Sequence, residues 1–167
     1  GAFDEGFQGS PIDLASGVDE IDKPKGAVYR RHVLSGLKQM YVAAATRAPM
    51  SIAAEEALRI RFIREWDELV VAPRFGFANA ADYYEKATVG PHLSRITLPS
   101  LVVVSEEDPM VFAHTVKPRL DAASNIERVY TRRGGHVGFP PNTSLGLGTH
   151  GSVEDQVIAW LRHRPHA

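Results

Sequence analysis

Between Pro99 and Thr131 the chain reads strand, helix, strand, and that order constrains its fold more than any other feature. Leu101-Val102-Val103-Val104 is an unbroken β-branched and apolar run, the pattern of a strand buried on both faces of a parallel sheet. A helix is expected over 115–123, with Pro118 near its first turn, and a second strand over 126–131. Two strands joined through a helix pair in parallel by a right-handed crossover. After a loop over 140–151 rich in Gly, Pro, Asn and Thr, Ser152 caps a closing helix. Its expected apolar stripe is Val153, Val157, Trp160 and Leu161.

The sequence from residue 12 to about 97 has a different texture, a series of short helices broken by Pro and Gly. Val33, Leu34, Leu37, Met40, Tyr41 and Ala44 recur at helical spacing, so a helix is expected over 25–47, ending before Pro49. Ser51 stands where an N-cap would, ahead of the acidic pair Glu55-Glu56, and opens a helix to about residue 60. Ile60, Ile63 and Leu69 define a further helical piece expected to end before Pro73. Phe75-Gly76-Phe77 reads as a turn, and Asn79 caps a helix over 80–86 that turns Tyr83-Tyr84 inward. Trp66, Phe75 and Phe77, like that tyrosine pair, suit either core or the lining of an acyl pocket, core being the commoner fate.

Composition excludes several functions. A formal net charge of -1 gives no global pull toward nucleic acid or anionic membrane. Without cysteine there is no disulfide, no thiolate nucleophile and no thiolate metal site, which suits a reducing compartment, so a cytoplasmic location is expected. No run approaches the roughly 18 to 20 apolar residues of a membrane span. The chain opens on Gly1 rather than Met, which points to a processed or truncated product. His150, His163 and His166, set beside Asp108 or Asp155, lack the spacing of a helical metal pair, so no metal is expected. No glycine loop followed by lysine and no dinucleotide fingerprint is present.

The chemistry concentrates at two strand ends. Asp108 follows the first strand in Ser105-Glu106-Glu107-Asp108-Pro109, and His136 follows the second in Gly134-Gly135-His136-Val137-Gly138-Phe139. Functional groups of parallel α/β sheets gather on the loops beyond the carboxyl ends of strands, and consecutive parallel strands set those loops side by side. A carboxylate accepting from one imidazole nitrogen leaves the other free to take a proton from a hydroxyl. Glu106 and Glu107 are alternative acids, although Pro109 suits a rigid turn at Asp108. Arg132 and Arg133 read as solvated neighbours of the loop.

Taken with Ser10-Pro11-Ile12-Asp13-Leu14, Trp66-Asp67, Pro73-Arg74-Phe75-Gly76-Phe77 and Ala81-Asp82-Tyr83-Tyr84, these loops resemble the YheT-like esterase/lipase group of the α/β-hydrolase superfamily. The resemblance runs in order over residues 10–163. It implies the C-terminal part of an α/β-hydrolase fold: residues 1–97 as a helical cap or insertion and residues 98–167 as a core segment with a parallel β-α-β unit and closing helix. It also implies hydrolysis of small acyl esters by a Ser-Asp-His triad without a cofactor, with Asp108 as the acid and His136 as the base.

One part of that triad is missing. The group's nucleophile sits in Gly-x-Ser-x-Gly, and no such motif occurs here. Gly9-Ser10-Pro11 lacks the second glycine, Ser144 lacks the first, and Ser105 precedes the acid on its own strand. No nucleophile is therefore expected within this chain, and alone it should be inactive. Two strands would also leave unpaired sheet edges, so self-association, or pairing with a missing N-terminal part, is expected. The rival readings are a non-catalytic α/β interaction module and, further off, a metal-dependent hydrolase using Asp108 and His136 directly.

Overall fold

The computed structural model describes residues 12–135 and 138–163 of the 167-residue chain. They form two compact units: Leu14–Thr88 is the first, and residues 12–13 with those from 89 onward make the second.

The first unit is entirely helical. It comprises α1 (Leu14–Asp22), α2 (Ala27–Ala45) after a 3-10 turn at Pro24–Gly26, α3 (Ala54–Arg59), α4 (residues 63–75) and α5 (Ala80–Ala87). Val18, Leu34, Tyr41, Ile60, Trp66, Val70 and Tyr84 form its core, with the Tyr41 and Trp66 rings meeting edge to face. Polar groups lock the helix ends. Asp22 accepts from the amides of Ile63 at 2.9 Å and Arg64 at 3.0 Å, a carboxylate set on the positive end of α4. Lys38 donates to the carbonyls of Leu58 and Ile60 at the other end of α3.

Two expectations fail in this unit, for one reason. Ser51 caps nothing: the residue before α3 is Ala53, with no side-chain cap, and the Ser51 hydroxyl donates instead to the Leu69 carbonyl at 2.9 Å. Nor does the helix end before Pro73. An α-helical turn Ile63–Trp66 passes into a π-helical turn Asp67–Val71, and α-helix resumes over Ala72–Phe75. In a regular α-helix the Leu69 carbonyl would accept from residue 73, which as proline has no N–H. The wider π turn, where the Ala72 amide reaches back to the Asp67 carbonyl, carries the helix past the proline. Ser51 supplies the donor that Pro73 lacks. Gly76, at φ 77°, then ends the helix in the left-handed conformation.

Beneath the π turn Asp67 is buried and accepts from the Tyr84 hydroxyl at 2.7 Å. Loss of solvent pushes the Asp67 carboxyl up to about 6, against the smaller pull of that hydrogen bond in the other direction. Burial, then the hydrogen bond to Asp67, pushes the Tyr84 phenol upward as well.

The second unit holds β1 (Ser100–Ser105), α6 (Ala113–Ala122), β2 (Ile126–Thr131) and α7 (Val153–Arg162), preceded by a 3-10 turn at Gly90–Arg95. The strands pair in parallel from Ser100 opposite Ile126 to Ser105 opposite Thr131. Val104 and Ile126 pack with Leu93, Val116 and Leu120 in the core. Leu101, Val102 and Val103 are half-buried rather than buried on both faces, because the sheet among the described residues has only two strands. α6 begins two residues before the expected start, which places Pro118 well inside it. α7 carries the expected cap as a full capping box between Ser152 and Asp155. Its buried face is Val153, Gln156 and Trp160, while Leu161 is exposed. Gln156 takes the inward position because its amide serves the preceding loop, accepting from Leu145 N at 2.8 Å and donating to the Thr143 and Gly151 carbonyls. No helix among the described residues is long and apolar enough to cross a membrane.

Candidate active site

The candidate site is built where β1 and β2 end in step. Ser105 and Thr131 are the last register pair, and the Glu106 amide still donates to the Thr131 carbonyl at 2.8 Å. Both chains then leave the ladder as loops from one level.

On the β1 side, three consecutive carboxylates diverge. Glu106 and Glu107 are exposed, the first paired with Lys117 at 3.0 Å and the second with Arg132 at 3.7 Å. Asp108 turns inward and is 6% exposed. Its Oδ1 accepts from the amides of Met110 at 2.7 Å and Val111 at 2.8 Å, the side-chain-to-backbone turn that a short carboxylate makes readily. Those two bonds fix the carboxylate plane before any partner is considered.

On the β2 side, Gly134 has φ 139°, a conformation open to glycine, and a Cβ there would lie 2.5 Å from the Phe139 ring. The Gly135 amide donates to the Gly138 carbonyl at 2.7 Å, linking the glycines that flank residues 136 and 137. A Cβ on Gly135 would stand 4.0 Å from Asp108 Oδ2. The inward carboxylate thus faces the glycine immediately before His136. His136 itself lies outside the described residues, as does Ser10. Arg132 and Arg133 are exposed beside the loop.

Two buried hydroxyls stand at the strand ends, Ser105, weighed from the sequence only as a nucleophile, and Thr131, which the sequence reading passed over. Ser105 donates to the Gly134 carbonyl at 2.8 Å, and Thr131 Oγ1 lies 3.3 Å from the Arg133 carbonyl. At Ser105 the signal was available: a polar residue closing an apolar run just before a chemistry-bearing loop. Of the aromatic residues weighed for an acyl pocket, Phe75 borders an open recess of the helical unit with Met50, Val70 and Arg74, whereas Trp66 and Tyr84 are core.

A buried, amide-anchored carboxylate at the carboxyl end of one parallel strand, facing a glycine turn at the end of the next, is the arrangement of an α/β-hydrolase. The chain is similar to the esterase/lipase group of that superfamily. It is 33% identical over 155 residues to "Putative esterase YheT" of Escherichia coli (strain K12), covering 91% of this chain and 45% of the relative. Over 81 residues it is 30% identical to a monoacylglycerol lipase of Saccharomyces cerevisiae, covering 48% of this chain and 18% of the relative. Over 86 residues it is 29% identical to human phospholipase ABHD3, covering 51% of this chain and 21% of the relative. The chain therefore spans less than half the length of these curated relatives. No family model and no solved structure matches it.

Proposed function

We propose that this chain supplies the acid and the base of a Ser-His-Asp triad in a carboxylic-ester hydrolase, with the attacking serine outside these 167 residues. The observation that carries the reading is Asp108: buried, held by two amides, with Oδ2 facing the residue before His136. The serine hydroxyl adds to the ester carbonyl while His136 takes its proton, and Asp108 stabilises the imidazolium that forms. His136 then gives the proton to the departing alkoxide, leaving an acyl-enzyme. Water, activated by the same imidazole, releases the acid and restores the serine. Residues 1–97 act as the helical insertion and residues 98–167 as the hydrolase core segment. Relatives named as esterases and lipases support a small acyl ester as substrate.

The test is hydrolysis of p-nitrophenyl butyrate by the full-length gene product. His136→Ala and Asp108→Asn each lower kcat by roughly a thousandfold or more, and a serine-directed phosphonate abolishes turnover. The 167-residue chain alone is inactive. Full activity in either variant, or turnover by the chain alone that His136→Ala removes, would overturn the corresponding half of the proposal.

A further inference from the structure

We infer that Ser105 is a positioning residue for this acid–base pair, its hydroxyl holding the glycine turn before His136 in place against Asp108. The inference rests on the reading of Asp108 and His136 given above.

Ser105 is 3% exposed, and a buried hydroxyl without a partner is costly, so its hydrogen bond carries its placement. A serine closing the run Leu101-Val102-Val103-Val104 adds nothing to the apolar core. What it adds is a donor, and the acceptor it reaches is not in the ladder. Its Oγ spans from β1 to the carbonyl of Gly134, three residues beyond the end of β2. Backbone pairing has stopped by then, since the Glu106 amide to the Thr131 carbonyl is the last rung described. The turn itself is Gly134-Gly135, with no side chain of its own to wedge it into place and a wide range of accessible backbone conformations. Such a turn needs an anchor from outside.

Two anchors bracket it. Thr131 Oγ1, also buried, holds the Arg133 carbonyl from within β2, and Ser105 holds the next carbonyl from β1. The second matters more for the chemistry, because it ties the turn to the strand that also presents Asp108. Asp108 N–H in turn points back to the Ser105 carbonyl at 3.4 Å. One residue thus touches both loops, through its carbonyl on the acid side and its hydroxyl on the histidine side. Displacing a catalytic group by about 1 Å can cost a hundredfold in rate, so a single hydrogen bond of this kind is consequential.

The readout is the titration of the His136 ring, followed by NMR in the full-length gene product and assigned by His136→Ala. A carboxylate beside an imidazole favours the imidazolium and so raises its midpoint. Asp108→Asn lowers that midpoint by about one pH unit or more. Ser105→Ala lowers it by at least about half a unit, while the midpoints of the other histidines stay put. Ser105→Cys keeps the side-chain shape but offers a poor donor, so it behaves like Ser105→Ala. If Asp108→Asn moves the midpoint and neither Ser105 variant does, or if Ser105→Cys matches the wild type, Ser105 only fills space and the inference falls alone. If Asp108→Asn leaves the midpoint unmoved, the acid–base reading falls and takes the inference with it.

Discussion

Asp67 shows how a single buried carboxyl sets a pH dependence. Its folded-state value, about 6, stands above the ordinary 3.8, so the folded protein holds that proton more tightly than the unfolded chain. The stabilising difference is fully present below about pH 4 and is lost as pH rises to about 6, on the order of 3 kcal/mol for this group. Asp67→Asn keeps an acceptor for the Tyr84 hydroxyl and removes the charge. Relative to wild type, the variant should therefore gain stability between pH 4 and 7 in urea titrations; a difference that stays flat over that range would contradict the assignment. Gln156 makes the opposite case, a neutral polar group buried because both its amide oxygen and its amide nitrogen find backbone partners. Gln156→Leu should cost roughly 2 to 4 kcal/mol and speed amide exchange over residues 143–152. A helical wheel assigns Gln156 to the solvent side because periodicity weighs polarity alone and does not see the carbonyls of a preceding loop. The place of Asp108 was readable for the converse reason: it follows from where a strand ends, which an apolar run marks clearly.

At the scale of elements, α4 carries the clearest divergence between local pattern and final structure. Proline rules predict a stop, and the chain continues through a π turn with Ser51 reaching across 18 residues to the stranded Leu69 carbonyl. No window of neighbouring residues contains that pairing. Ser51→Ala should destabilise the helical unit by about 1 kcal/mol, a modest figure because the site is solvent-accessible. Ser152→Ala should cost a similar amount at α7, where both halves of the capping box are lost. Chemical denaturation of the two variants beside wild type checks both. α5 and the α7 cap were legible, since each depends on residues within a turn or two of one another, and the parallel pair β1 and β2 was legible because a strand–helix–strand order dictates it. The separate helix α1 was passed over, although Leu14, Val18 and Ile21 recur along it at helical spacing and pack into the core.

For the whole molecule the governing fact is the two-stranded sheet. Its outer edges have no ladder partner among the described residues, and the middle of β1 is only half-covered. Exposed strand edges recruit other strands. The chain on its own should therefore associate, giving a mass above 18.3 kDa by light scattering across micromolar concentrations. A monodisperse monomer would speak against it. Composition gave no warning of this, since an ordinary soluble balance of residues says nothing about how many strands a sheet contains.

The flush ending of β1 and β2 sets a rule for how this protein can vary. Residue identity within the strands is negotiable: Val102→Ile changes bulk, and the loops still start level. Strand length is not. One residue inserted between Val104 and Ser105 would advance Asp108 by a full pleat step, about 3.3 Å, and flip the side chains beyond it to the opposite face. Deep mutational libraries of the full-length protein should accordingly tolerate apolar exchanges throughout 101–104 while rejecting every single-residue insertion or deletion there.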